Sequence, residues 1–598
     1  MSDVLDRVRS AVDAGHLTES AAGNLNAWLT EDRYAEYRDA VVRHIDDGEW
    51  QKLDDVYWTI IPFGTGGRRG RMYPIGSNAI NDRTIGESAQ GLADYVVEYH
   101  QGKSDLSCAI AYDTRHQSRH FAELCAGIMV GAGFKVYFLD DYRATPQLSF
   151  AVRELGCDCG IMVTASHNPP SDNAVKVYWS SGAQVLPPHD KAIIDKVMNC
   201  QQIKVASFDQ ALADGKVEIV TDRIDAAYTD AAAACALPGP RDAKILYTPL
   251  HGVGAACVMP LLERDGFTDV EVYGPNAEPS GDFPNVPGHV SNPENKAVFD
   301  KPIEHAKAGG FDLVIATDPD CDRIGCATKV TTDGDDWRTF TGNEIGALLA
   351  DHVLTKRFAA GTLTPDHYIV KTLVTTELTR AVADHHDVRC VGDLLVGFKY
   401  IAEVIDREGP DHFVYGTEES HGFLTGTYCR DKDGGVASML MAELVAELKA
   451  EGKTLADYLS ELHRRFGLHR ETLINLVMEG SEGMAAMTRL MTAFREDPPK
   501  SLAGIDVASI EDYSTNQTTD TRTGEKSSLS GPTGNLIIMR LADAGNYVAV
   551  RPSGTEPKIK LYVFTKLSPE ESQDLDAADA TLADRMTQLE SDVREYAG

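Results

Sequence analysis

Four times along the chain, a short apolar run gives way to a loop crowded with chemically active side chains. That repeated pattern constrains the fold more than any other feature, because open α/β sheets gather ligands outside the carboxyl ends of their strands. The first such loop is Thr164-Ala165-Ser166-His167-Asn168-Pro169-Pro170, which follows Cys159-Gly160-Ile161-Met162-Val163. The two prolines forbid continuation of the strand, so Ser166 is predicted just past a strand end. A serine there can act as a nucleophile or carry a covalent group. Alone, a Ser-His pair closed by proline reads equally well as a turn. The other three loops decide the matter.

The second loop, Asp318-Pro319-Asp320-Cys321-Asp322-Arg323, follows the strand signal Asp312-Leu313-Val314-Ile315-Ala316. Pro319 keeps it out of helix, so three carboxylates at alternate positions can converge on one point. Unpaired, they would repel strongly. A hard divalent cation with oxygen ligands resolves that repulsion, Mg²⁺ ahead of Ca²⁺ or Mn²⁺. The alternation turns Cys321 the opposite way. The third loop, Gly416-Thr417-Glu418-Glu419-Ser420-His421-Gly422, offers carboxylates and a hydroxyl for vicinal sugar hydroxyls. Adjacent carboxylates cannot flank a glycosidic bond from both sides, which argues against a glycosidase. The fourth, Arg551-Pro552-Ser553-Gly554-Thr555-Glu556-Pro557-Lys558, lies between two apolar runs and has the backbone amides, hydroxyls and planar guanidinium of a phosphate cradle.

Together with Phe63-Gly64-Thr65-Gly66-Gly67-Arg68-Arg69-Gly70, these loops occur in an order that resembles the α-D-phosphohexomutases, over nearly the whole length. Tyr112–Arg115, Lys176–Trp179, Thr248–Gly252, Gly397–Lys399 and Arg430–Asp433 are similar to the bacterial phosphoglucomutase and phosphoglucomutase-2/phosphopentomutase branch. The resemblance implies an α/β fold of four domains, three related α/β units and a C-terminal α+β unit around a central cleft. It implies that Ser166 carries a phosphoryl group and, with Asp318, Asp320 and Asp322, holds Mg²⁺. Arg69, Arg115, His167 and Arg323 would line the transfer site, and Lys176 and Lys399 would move protons or stabilise charge. Glu418 and Ser420 would grip the sugar, and Arg551, Ser553, Gly554 and Thr555 the non-reacting phosphate. The implied reaction interconverts glucose 1-phosphate and glucose 6-phosphate through a bound glucose 1,6-bisphosphate. Phosphopentomutase, phosphomannomutase and, further off, a sugar phosphatase are the alternatives. The chain departs from the family pattern at Arg68, Ala79, Cys321 and His421, where an apolar residue, arginine, alanine and an aromatic residue are more usual.

Length and alternating helix and strand signals suggest four units: 1–222 with an N-terminal helical extension, 223–335, 336–466 and 467–598. The stretch Tyr513–Ser530 reads as a loop or hairpin, and Leu567–Tyr596 as a terminal helix. A net charge of −34 disfavours nucleic-acid and anionic-membrane partners, so a site for anionic sugar phosphates needs a locally positive cleft. With no apolar signal region, no membrane-length apolar run and 11 scattered cysteines, a reduced cytoplasmic protein is expected, as monomer or dimer.

Overall fold

The computed structural model describes residues 2–64, 66–477, 480–552 and 558–597. Three α/β units follow one another, each built on a mixed sheet. In the first, the strand order is 67–71, 172–179, 159–163, 107–112, 135–138, 217–219. Ser107–Tyr112 and Cys159–Val163 pair in parallel and every residue in them is buried, as expected of strands covered by helices on both faces. The second sheet runs 337–339, 324–329, 313–317, 245–248, 270–272, and the third 389–391, 368–371, 413–418, 422–425.

In each of these sheets the strand that ends the parallel part turns back into an antiparallel hairpin. Cys159–Val163 pairs with Asp172–Trp179, Leu313–Thr317 with Ile324–Lys329, and Phe413–Glu418 with Gly422–Thr425. The tips of those three hairpins are the serine, aspartate and glutamate loops. At every tip a residue other than glycine adopts the left-handed backbone region: Ser166 at φ 50°, Cys321 at 51° and His421 at 63°. Such a conformation costs on the order of 1 kcal/mol and persists where surrounding contacts over-determine it. The recurrence marks the three units as variations of one design.

A continuous buried cluster, from Ala109 through Tyr247 and Val353 to Leu462, spans all three units and fixes the hairpin tips relative to one another. The N-terminal extension is four helices, Ser2–Asp13, Glu19–Thr30, Arg38–Asp46 and Trp50–Tyr57, around a separate core in which Trp28 stacks on Tyr34 at 4.6 Å. The fourth unit is an eight-stranded antiparallel sheet with helices Gly480–Glu496 and Leu575–Ala597. Its Tyr513–Ser530 stretch contains the hairpin Gln517–Asp520/Lys526–Ser528. The terminal helix begins at Leu575 rather than Leu567. Ser568-Pro569 instead opens a turn in which Ser572 donates its amide to the Ser568 carbonyl at 3.1 Å.

The third and fourth units meet through Leu373, Val374, Tyr547 and Tyr562, and through Thr376, whose hydroxyl donates to Glu471 at 2.5 Å. Burial pushes the Glu471 carboxyl up to about 7. In the folded protein Glu471 therefore keeps its proton to a higher pH than in the unfolded chain. Its stabilising share is full below the unfolded value near 4.3 and is lost as pH rises towards 7. Glu471→Gln should match wild type in thermal midpoint near pH 4.5 and exceed it by a few degrees at pH 8, up to about 3–4 kcal/mol. Parallel melting curves across that range check it; a constant offset contradicts it.

Candidate active site

Ser166 lies three residues past the end of Cys159–Val163, 4 % exposed. Its amide donates to Thr164 Oγ1 at 2.8 Å, and that hydroxyl donates to the buried Asp113 at 2.5 Å. Its own hydroxyl donates to Asp318 Oδ2 at 2.7 Å and lies 3.1 Å from His167 Nδ1. The serine thus reaches 152 residues along the chain to the aspartate loop.

Arg115 shapes this loop from behind. Its guanidinium donates to the carbonyls of Ser166 (2.5 Å), Pro169 (2.7 Å) and Asp172 (3.1 Å), and to that of Asn168. With Asp113 Oδ2 3.4 Å from its Nε, Arg115 is consumed in holding the serine loop, not in lining open space as the sequence suggested. Alternating chemistry along a sequence does not reveal which arginine faces backbone and which faces solvent.

The aspartate loop closes the hairpin Leu313–Thr317/Ile324–Lys329. Its turn is tight against the Pro249–Val253 segment, where a Cβ on Gly252 would stand 2.4 Å from Pro319 Cα. Asp318, Asp320 and Asp322 are all buried and offer oxygens within 4.8 Å of one another. One oxygen of each is fixed by the protein. Asp318 Oδ1 accepts the amides of Asp322 and Arg323 at 3.1 Å. Asp320 Oδ2 accepts Thr145 Oγ1 and Lys176 Nζ, both at 2.7 Å. Asp322 Oδ2 faces Lys432 Nζ at 2.8 Å. The remaining oxygens, Asp320 Oδ1 and Asp322 Oδ1, are buried without a hydrogen-bond donor, and Asp318 Oδ2 meets only Ser166. Buried carboxylate oxygens left unsatisfied and pointing together suit a small, oxygen-seeking dication. Three carboxylates face two ammonium groups here, while the Arg323 guanidinium is drawn to Glu294. Cys321 turns its thiol away to Cys257, 3.5 Å off.

Electrostatics sort the groups into roles. Burial among two neighbouring carboxylates pushes Asp318 well above the usual range. Burial would raise Asp320 too, yet Lys176 overrides it and holds the carboxyl down. Lys176 is itself raised: burial acts against its charge, but Asp320 and Asp322 more than compensate, so it stays an ammonium. His167 is driven well below its ordinary value by burial and by Arg323 and Arg69, which leaves a neutral imidazole beside Ser166. Burial also lowers Lys399.

Lys399 sits at the start of helix Phe398–Glu408, and the Gly397 amide before it donates to Glu418 at 2.9 Å. Glu418 ends its strand 3 % exposed, raised by burial, and the Glu419 carboxyl is pushed up to about 7 by burial and by Glu418. Ser420 is half-buried at the hairpin tip. His421 is turned inward: its Nδ1 bonds the Ile324 carbonyl at 2.8 Å, tying the glutamate loop to the aspartate loop. Arg551 closes the strand Tyr547–Pro552 and acts on Lys399 and Tyr562, so the fourth unit faces the third. Ser553, Gly554 and Thr555 lie outside the described residues.

Four participants escaped the sequence reading. Thr145 begins helix Thr145–Glu154 and gives nothing away in sequence, yet its hydroxyl and amide both reach Asp320. Glu294 holds Arg323 from an irregular segment. Lys560, on the strand Lys558–Lys566, lies in the field of Glu419 and Glu294. Lys432 had a visible signal, the charged run Arg430–Asp433, whose Asp431 also accepts Tyr178 Oη at 2.8 Å.

A serine held on a buried carboxylate triad, ringed by cations at the meeting point of three related sheets, defines a centre for transferring an anionic group. Family profiles described as phosphoglucomutase/phosphomannomutase alpha/beta/alpha domains I, II and III match residues 61–204, 226–331 and 341–466. A phosphoglucomutase of Staphylococcus epidermidis is 36% identical over 509 residues, 84% of this chain and 90% of its own. One from Staphylococcus aureus is 34% identical over 549 residues, 88% and 94% of the two chains. The fold is similar to a putative phosphomannomutase from Thermus thermophilus, with a TM-score of 0.61 and 23% identity over 88% of this chain and 99% of that one. It is also similar to the Paramecium phosphoglucomutase parafusin, at 0.63 and 16% over 90% and 94%. The chain belongs to the phosphoglucomutase/phosphomannomutase family of mutases.

Proposed function

We propose that the protein is a cytoplasmic phosphoglucomutase that passes a phosphoryl group between Ser166 and the two ends of glucose phosphate. The observation that carries this reading is the 2.7 Å contact between the Ser166 hydroxyl and the carboxylate triad, in a chain 34–36% identical to phosphoglucomutases over most of its length. Asp318, Asp320 and Asp322 would hold Mg²⁺, which supplies charge neutralisation at the transferring phosphoryl group.

The chain's own residues divide the remaining work. In the forward half, the phosphoserine O–P bond breaks as a sugar hydroxyl bonds to phosphorus. That hydroxyl would give its proton to Lys399, whose charge burial disfavours. The serine oxygen released from phosphorus would take a proton from Asp318, whose proton burial favours. Both protons would travel back in the second half, Lys399 protonating the departing sugar oxygen. In the return half, Ser166 attacks the other phosphate of the 1,6-bisphosphate. Its hydroxyl proton has acceptors in place at Asp318 Oδ2 and the neutral His167. Lys176 keeps its charge against Asp320 while Arg323 and Arg69 face the moving group. Glu418 and Ser420 bind sugar hydroxyls, and Arg551 with Ser553, Gly554 and Thr555 clamps the idle phosphate. Since either end of the sugar must enter this clamp, water has to be excluded while the bisphosphate turns over.

Coupled assays on glucose, mannose and ribose 1-phosphates, with Mg²⁺ and a trace of bisphosphate, test the reading. The highest kcat/KM is expected on glucose 1-phosphate. Faster turnover of another sugar, or release of inorganic phosphate at the turnover rate, overturns it.

A further inference from the structure

Arg68 is 1 % exposed on a five-residue edge strand, Gly67–Arg71, that pairs in register with Asp172–Trp179. Burying a guanidinium there is costly unless its donors are fixed. One end of it is fixed: Arg68 Nη1 donates to the Thr84 carbonyl at 2.8 Å and to Glu87 Oε2 at 3.0 Å, while Nη2 lies 3.5 Å from the Met198 sulfur and Nε has no hydrogen-bond partner among the described residues. The other Glu87 oxygen accepts Arg83 Nε at 2.8 Å. Arg83 in turn donates to the carbonyls of Arg33 at 3.1 Å and Cys200 at 3.0 Å. The edge strand is therefore riveted through Arg68 and Glu87 to helix Asp82–Tyr99 and, through Arg83, to the N-terminal helices. Side chains alternate along a strand, so Arg69 leaves by the opposite face. There it is exposed, and its charge acts on both His167 and Arg115.

We infer that Arg68 is a positioning residue for the phosphoryl-transfer step, its Nη1 bonds to Thr84 and Glu87 setting where Arg69 stands beside the serine loop. The inference rests on the function proposed above. Removing one partner of a buried pair costs stability, so a packing role and a positioning role both predict a lower melting temperature, and only coupling to Arg69 separates them. Arg68→Met leaves Glu87 paired with Arg83, so no carboxylate is stranded.

The test is a double-mutant cycle on kcat/KM for the best sugar phosphate, using Arg68→Met and Arg69→Lys, with thermal melting of all four proteins. Arg68→Met should melt below the wild type while still folding, and should lower kcat/KM about 10-fold in the wild-type background and less than about 2-fold beside Arg69→Lys. Arg68→Lys, which can satisfy one of the two acceptors, should fall between and serves the same cycle should Arg68→Met fail to fold. Equal losses in both backgrounds, or no loss in the wild type, overturn the inference. A wild-type protein without mutase turnover would instead fail the function on which it rests.

Discussion

Ser166→Ala is expected to lower mutase turnover by at least about 10⁴-fold while sugar-phosphate affinity changes little. The serine oxygen is the atom that would carry the phosphoryl group, and no other described hydroxyl donates to Asp318. Sugar hydroxyls and the idle phosphate are assigned to Glu418, Ser420 and the Arg551 loop, which the substitution does not touch. Calorimetric titration with glucose 6-phosphate, beside the coupled assay, separates the two quantities. Turnover within 10-fold of wild type contradicts the assignment. Unchanged turnover would also leave the left-handed backbone at Ser166 without a purpose, since alanine fits that conformation no better.

The second large effect concerns the carboxylate triad. At the separations seen here, each carboxylate pair repels by about 3 kcal/mol in a partly screened protein interior. Lys176 and Lys432 offset part of that, and a dication would offset the rest. Asp318→Asn removes one charge; its oxygen can keep the Asp322 and Arg323 amides while its Nδ2 donates to the Ser166 hydroxyl oxygen. In metal-free buffer the variant should therefore melt at the wild-type temperature or above it. With millimolar Mg²⁺ the wild type should gain several degrees, as a ligand of the native state alone requires, and the variant little. Turnover in saturating Mg²⁺ should fall by about 10³-fold, the order lost when one preorganised charge leaves a transition state. A variant that melts lower without metal and gains as much from Mg²⁺ as wild type would show that the triad is a structural cluster.

Much of this centre was legible from the sequence because its chemistry sits at strand ends. Apolar runs announce the strands, proline and glycine announce their ends, and Ser166, Asp318 and Glu418 follow at once. Each of those loops proves to be the tip of an antiparallel hairpin that ends the parallel part of its sheet. That equivalence was hidden, because nothing local tells whether the next strand runs parallel or antiparallel. The partners across the cleft were hidden for a similar reason: Thr145 reaches Asp320 across 175 residues, a contact set by how two units dock. Arg115 is a different case. The resemblance implied that it lines the transfer site, and its place behind the serine loop gives it four carbonyls to hold. Arg68 stood out as an extra arginine, but only its burial against Glu87 gives it a role. His421 drew notice as an odd neighbour of the sugar-binding serine, and it faces the Ile324 carbonyl.

The most direct test of the account is to follow the phosphoryl group itself. Protein incubated with Mg²⁺ and ³²P-labelled glucose 1,6-bisphosphate, then digested and mapped, should carry label on Ser166 alone. Unlabelled glucose 1-phosphate should chase that label into sugar phosphate as fast as the enzyme turns over. Mutase product formed at full rate on a protein that never acquires label, or label resting on another residue, would contradict it.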